Sequence, residues 1–215
     1  MADLKFYTHP MSRGQTVRWM LEEVGEPYET EIVEYGSTMK AEPYLSINPM
    51  GKVPAIKHDG RVVTEVAAIC CYLADAFPKA ELAPPPPDRA DYYRWILFTS
   101  GPVEAAFTAR SMGWDAPPEK QAMIGFGSYD RAMGTLEKYL VGKPYITCGR
   151  FTAADLFVGA MLGFMLQFDL LDPKPAFTDY VARVTDRDAY RRAKDIDGKL
   201  IAEMQAAQPQ PQPAE

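Results

Sequence analysis

The stretch that decides the fold is Asn48–Ile69, NPMGKVPAIKHDGRVVTEVAAI. It contains three separable devices. Val53-Pro54 heads a short apolar run, where an X–Pro bond can be cis and hold a tight turn. Asp59-Gly60 separates two β-type runs, Val53–Lys57 and Arg61–Thr64, a strong local signal for a hairpin. Glu65 then stands at the mouth of a helix whose apolar positions include Val66, Ile69, Cys70, Leu73 and Phe77. A proline-led strand, a hairpin and an acidic helix mouth together predict a corner suited to binding a peptide.

Upstream of this corner, Leu4–Tyr7 reads as a short strand. Thr8-His9-Pro10-Met11 forms the loop that delivers the chain to Ser12. From Ser12 the spacing turns helical, with Val17, Met20, Leu21 and Val24 at i, i+3, i+4 and i+7, and Gly25 followed by Pro27 supplies the stop. Ser12 is thereby predicted at a helix N-terminus, where serine is favoured as a cap and the backbone dipole favours an anion. Glu29–Val33 reads as a second strand, and Gly36–Ile47 as irregular chain with one helical turn.

Downstream, the Val66–Phe77 helix stops before Pro78, and Ala83-Pro84-Pro85-Pro86-Pro87 is a stiff polyproline segment that marks a boundary. Everything beyond is helical in period. Asp88–Met112 is expected as one helix with Tyr93, Ile96, Leu97, Val103 and Phe107 on one face. Pro118–Leu140 is expected as another, with Tyr129, Met133, Leu136 and Leu140 in register. In Phe151-Thr152-Ala153-Ala154-Asp155-Leu156, Thr152 and Asp155 have capping-box spacing and Phe151 can staple onto Leu156. The helix that follows is apolar nearly all round, which predicts a central buried helix. A last amphipathic helix is expected over Asp188–Ala207, through Ala189, Ala193, Ile196 and Leu200. The expected organisation is α/β followed by all-α. An α/β domain covers 1–78, a proline-rich linker 79–87, a helical domain 88–207, and a low-complexity tail 208–215 is expected to be disordered.

Composition narrows the function classes. The 215 residues are 47% hydrophobic and 24% charged, ordinary for a globular protein, with a net charge of −6 and no Lys/Arg block to suit a nucleic acid. The longest nearly unbroken apolar run, Leu156–Leu166, is too short to cross a bilayer, so no membrane partner is expected. Cys70, Cys71 and Cys148 make no disulfide framework, and His9 and His58, the two histidines, make no zinc spacing. The chain starts without a basic, apolar leader pattern. A reducing cytoplasm and no metal are expected.

These landmarks, in this order, resemble the cytosolic glutathione transferase family, and specifically its bacterial-type, serine-type members. They are Ser12-Arg13 followed by Val17-Arg18-Trp19, then Asn48-Pro49 and Val53-Pro54, Glu65 before Ala68-Ile69, and Phe151-Thr152-Ala153-Ala154-Asp155. The resemblance spans Leu4 to about Leu200. It implies a thioredoxin-like N-terminal domain that binds glutathione as co-substrate, and a helical-bundle domain that shapes the electrophile pocket. It also implies a homodimer and a detoxifying transferase that adds the glutathione thiolate to a small hydrophobic electrophile. Glutathione-dependent peroxidase activity, or a non-catalytic binding module, is the alternative.

The resemblance assigns residues. Ser12 matches the thiol-contacting position of the serine-type members and Tyr7 that of the tyrosine-type, and Ser12 is preferred. Val53 is expected to pair its backbone with the cysteinyl unit, with Pro54 cis. Glu65 is expected to take the γ-glutamyl ammonium and the helix-start amides its carboxylate. Lys52, with Lys40 as a weaker candidate, would answer the glycyl carboxylate. Val66 departs from the family pattern, which has a serine there; losing one hydrogen bond to a charged group costs about 1.5–3 kcal/mol, so weakened glutathione affinity is expected. Met11, Arg13, Phe107, Met112 and Trp114 are the expected electrophile-pocket residues. Asp155 is expected to serve folding.

Overall fold

In a computed structural model, residues 3–207 are described. The chain divides into two units: residues up to Ile69 together with those from Arg187 onward, and Cys70–Asp186.

The first unit is built on a four-stranded sheet in the order β2 (Glu29–Ile32), β1 (Leu4–Thr8), β3 (Ala55–His58) and β4 (Arg61–Thr64). β1 is central and pairs parallel with β2 through α1 (Gly14–Val24). On its other edge β1 runs antiparallel to β3, which turns back into β4. Asp59 and Gly60 both take positive φ, 47° and 77°, the conformation a two-residue hairpin loop needs to match strand twist. Gly25, at φ 75°, closes α1 with its N–H on the Leu21 carbonyl. The short α2 (Tyr44–Ile47) precedes β3, α3 (Val66–Ala76) follows β4 with its residues from Cys70 on counted in the second unit, and α9 (Asp188–Ala207) packs against α1.

Alternation along β1 divides its side chains between two faces. Phe6 faces α1 and lies under the Arg18 guanidinium, 5.0 Å from it. Tyr7 faces the other way, into a cluster with Val33, Met39, Tyr44 and Ala55, against which Ile47 and Val53 also pack. Burying each such side chain stabilises the unit by about 1.5–3 kcal/mol.

The second unit is helical: α4 (Ala90–Phe98), α5 (Glu104–Ser111), α6 (Tyr129–Leu140), α7 (Ala153–Gln167) and α8 (Pro175–Thr185). α7 is its buried centre, with Ala153 to Gly159 all inside. Its start carries the expected capping box: Thr152 N–H and hydroxyl both donate to Asp155 Oδ2 at 2.9 Å.

Several differences from expectation have physical causes. The Asp88–Met112 helix is interrupted by a π turn, Thr99–Val103, which widens the coil enough to admit Pro102. The buried stripe is Tyr92, Trp95, Ile96, Thr99, Val103 and Ala106, so Tyr93 and Leu97 point to solvent and not to the core. Pro118–Leu140 is likewise not one helix: a 3-10 turn over Pro118–Met123 is followed by Gly125 and Gly127, and α6 starts only after Ser128, whose side chain caps it. Helix α8 was not anticipated; Pro175 at its first position and the spacing of Phe177, Tyr180 and Val184 are the signals for it. The proline run lies in the second unit, and α9 belongs with the first.

No helix among the described residues is long and apolar enough to cross a membrane. All three cysteines are free thiols. Burial raises the Cys70 thiol's pKa strongly, so it stays protonated at neutral pH. The expected disorder of 208–215 falls outside the described residues.

Candidate active site

The register of the sheet gathers four connections at one of its ends. Tyr7 lies opposite Ala55, Ala55 opposite Thr64, and Thr8 opposite Ile32. The β1–α1 loop, the chain after β2, the turn before β3 and the turn between β4 and α3 therefore share one edge of the first unit. Sequence-predicted residues fall on three of these four.

On the β1–α1 loop, helix α1 begins at Gly14, two residues later than expected. Ser12 still caps it: its Oγ accepts the Gly14 N–H at 2.9 Å. The same hydroxyl donates to the His9 carbonyl at 2.6 Å, so the proton expected to face a sulfur is held within the loop. That carbonyl also accepts the Ser12 N–H at 3.0 Å. Ser12 can therefore release it without orphaning the acceptor.

Gly14 fits where no other residue does. A Cβ there would stand 1.9 Å from Thr8 Oγ1 and 2.9 Å from Ser12 Oγ. His9 is buried beneath this loop, accepting the Met11 N–H on Nδ1 at 3.2 Å, which puts the ring proton on Nε2, 3.6 Å from Glu34 Oε2. Met11 is exposed and Arg13 half-buried.

Tyr7 sits on the sheet face away from α1, within the core cluster, and burial raises its phenol pKa. A phenol harder to ionise, packed among apolar side chains, has the environment of a core residue.

Val53-Pro54 is a cis peptide, and so is Glu42-Pro43. The chain leading to it is heavily braced. Tyr44 OH donates to the Lys52 carbonyl at 2.5 Å and Asn48 Nδ2 to the same oxygen at 2.8 Å. Burial pushes the Tyr44 phenol up to about 12, which keeps it a donor. Lys40, expected as a ligand contact, places its ammonium 2.7 Å from the Gly51 carbonyl and 3.3 Å from that of Met50. It holds the loop, whereas Lys52 is exposed.

Glu65 has φ 67°, the left-handed region that disfavours a side chain. Its carbonyl accepts the Ile69 N–H at 2.8 Å, so Glu65 is the residue that starts α3. The N–H groups of the first turn, beginning with Val66, have no acceptor within the helix and carry its positive end.

The second unit carries the remaining expected electrophile-pocket residues, Phe107, Met112 and Trp114. Phe107, on α5, packs against Phe164 of α7 with ring centroids 6.4 Å apart. Met112 and Trp114 lie past the end of α5, and Trp114 is 70% exposed. No group of three or more His, Cys, Asp or Glu able to hold a metal occurs among the described residues.

Sequence reasoning gave no role to His9, Gly14, Tyr44, Asn48 or Tyr35. Tyr35 follows β2, stacks on His9 at 4.4 Å between centroids, and has its hydroxyl near Ser12 and Met11. A glycine two residues after a serine is the one local signal that could have drawn attention to the loop.

Comparison with known proteins agrees with this geometry. Residues 11–76 match the glutathione S-transferase N-terminal domain family and residues 104–195 the C-terminal domain family. The glutathione S-transferase-like protein OpS6 of Beauveria bassiana is 27% identical over 88% of this chain and 93% of its own length. Among solved structures, a glutathione transferase from Methylococcus capsulatus has a TM-score of 0.73 and 29% identity, covering 91% of this chain and 99% of the other. A sphingomonad glutathione S-transferase complexed with glutathione has a TM-score of 0.72 and 28% identity, covering 90% and 98%. With both domain families matched in order, and with an α/β unit and a helical unit built as described, the chain belongs to the glutathione S-transferase family.

Proposed function

We propose that this chain binds glutathione on the braced edge of its first unit, ionises the cysteinyl thiol and transfers it to a small hydrophobic electrophile. The observation that carries this reading is Glu65, held at φ 67° at the mouth of α3. A left-handed glutamate costs about 1–2 kcal/mol, and such strain collects where a side chain has a task. Here the conformation sets a carboxylate beside the N–H groups of a helix start. The carboxylate suits an ammonium and the amides suit a carboxylate, which are the two charges of a γ-glutamyl end.

Val53 supports the cysteinyl backbone, Lys52 the glycyl carboxylate, and Val66 contributes its N–H in place of a hydroxyl. Lys40 acts through the loop it holds. Ser12 is the hydroxyl donor to the sulfur in preference to Tyr7, because it stands at the start of α1 while Tyr7 packs in the core. The thiol gives its proton to solvent, and the sulfur lone pair forms a bond to the electrophilic carbon. The displaced electron pair leaves with the leaving group, or enters a conjugated acceptor that then takes a proton from water. The protein supplies thiolate stabilisation and proximity.

Met11, Arg13, Phe107, Met112 and Trp114 remain the proposed electrophile contacts. A cytoplasmic, detoxifying homodimer is proposed on family grounds.

Calorimetry with glutathione and conjugation of an aryl halide by wild type, Ser12→Ala and Tyr7→Phe test the reading. Ser12→Ala is expected to lower kcat/KM on the order of a hundredfold and Tyr7→Phe only a few-fold. A wild type that neither binds glutathione nor conjugates refutes the enzyme. The reverse ranking of the two variants refutes the donor assignment.

A further inference from the structure

We propose that Tyr35, on the connection after β2, supplies the second hydroxyl of a two-hydroxyl cradle around the sulfur, donating its phenolic proton beside that of Ser12. This rests on the reading that the glutathione thiol lies at Ser12, and it adds a donor from outside the β1–α1 loop.

The argument begins with donor bookkeeping. Serine has one proton, and that of Ser12 is bound to the His9 carbonyl at 2.6 Å. One of its acceptor sites is taken by the Gly14 N–H. A thiolate has no proton to give and is stabilised by donors alone. Ser12 can turn its single proton to sulfur, since the Ser12 N–H still satisfies His9 O, but that yields one side-chain donor.

Thr8 Oγ1 also lies at this loop, but Thr8 is buried and its hydroxyl faces the His9 carbonyl at 3.4 Å; Tyr35 brings an exposed one. Its oxygen is 3.5 Å from the Met11 carbonyl, too long to commit the proton, which sets it against the backbone of the residue next to Ser12. A phenol is a much stronger acid than an aliphatic hydroxyl, so it is the better donor to an anion.

Position supports the role. The ring is clamped on buried His9, 4.4 Å between centroids at an interplanar angle of 49°. The backbone around it is held at three points: Val33 N–H on the Thr8 carbonyl at 2.8 Å, Glu34 N–H on Thr38 Oγ1 at 2.8 Å, and Met39 N–H on the Glu34 carbonyl at 3.1 Å. Yet Tyr35 is 54% exposed, so the hydroxyl is fixed from behind and open to a ligand in front. The titratable ring that Tyr35 stacks on, His9, has its Nε2 3.6 Å from Glu34 Oε2.

Tyr35→Phe keeps the ring on His9 and removes only the oxygen, so a packing role leaves the following readouts unmoved. With glutathione bound, the ultraviolet absorbance of the thiolate is titrated for wild type, Tyr35→Phe, Ser12→Ala and the double variant, alongside the pH profile of kcat/KM. Tyr35→Phe is expected to raise the bound thiol pKa by about one unit, a tenfold loss of kcat/KM below that pKa, with the KM for glutathione unchanged. In the Ser12→Ala background the same substitution is expected to raise it further. An unchanged thiol pKa in Tyr35→Phe, or no further rise in the double variant, overturns direct donation by Tyr35. A wild type that binds no glutathione fails differently: it overturns the proposed function itself.

Discussion

Arg18 Nε meets Asp197 Oδ1 at 3.1 Å, joining α1 to α9 across 179 positions of sequence. Both side chains are buried, and the guanidinium also donates to Tyr28 OH at 3.2 Å and Thr30 Oγ1 at 2.8 Å. Arg187 adds a two-pronged pair to Glu23 at 2.6 and 2.7 Å. The last helix is thus part of the first unit by specific ionic contacts. Removing one partner of a buried pair strands the other charge, so Asp197→Ala is expected to cost about 3–5 kcal/mol. Urea denaturation measures it. Replacing both members, Arg18→Met with Asp197→Leu, is expected to recover most of that loss.

Gly14 is the tightest point of the candidate site. Gly14→Ala drives a methyl group onto Thr8 Oγ1, so the start of α1 must move and carry Ser12 with it. Conjugation is expected to fall on the order of a hundredfold, since misplacing a reacting group by about 1 Å costs that much. Thr8→Ala in the same chain removes the oxygen at 1.9 Å and is expected to restore part of the activity. Activity assays of the two single variants and the double variant read this directly; no rescue would place the harm elsewhere.

Glu65→Gly separates stability from function. Glycine adopts φ 67° without penalty, so the variant is expected to unfold at higher urea, gaining about 1 kcal/mol. It loses the carboxylate proposed for the ammonium, so glutathione affinity is expected to fall by about 1.5–3 kcal/mol. Paired denaturation and calorimetry give the two signs. A variant less stable than wild type would mean the Glu65 side chain contributes more to folding than its backbone strain costs.

Asp155 makes a pH-dependent contribution. It is fully buried and accepts from Ile146 N–H at 2.7 Å, Tyr180 OH at 2.8 Å, and Thr152 twice at 2.9 Å. Burial is the largest influence and raises its pKa above 3.8, with those four donors pulling the other way. A carboxyl whose folded pKa lies above its unfolded value binds its proton more tightly when folded. The stability this adds is complete below the unfolded pKa and is lost as pH rises through the folded one. Asp155→Asn cannot titrate, and its amide must turn N–H groups toward existing donors, a cost of about 3 kcal/mol. Urea midpoints from about pH 4 to 7 should show the gap between wild type and variant narrowing as pH rises, then holding constant.

Much of the architecture was legible locally. Asp59-Gly60 forced a hairpin with its strands at Ala55–His58 and Arg61–Thr64, Gly25 ended α1, and the Thr152–Asp155 spacing opened α7, because each depends on residues within a few positions of one another. The π turn at Pro102 was not legible, since a proline in a helical pattern fits a break or a bulge equally well until packing chooses. Nor were the partners of Arg18, or the commitment of Lys40 to a carbonyl ten residues away.

The residues of the corner from Asn48 to Ile69 by themselves determined the hairpin, the helix start and the identity of the acidic residue at its mouth. Tertiary structure alone decided that Tyr35, in a stretch without periodicity, stacks on His9 and brings its hydroxyl to the Met11 carbonyl, next to Ser12. The reason is that turn chemistry and helix capping are set by neighbours along the chain. Which hydroxyls share one edge of the sheet follows from the parallel pairing of β1 with β2, a contact between residues more than twenty positions apart.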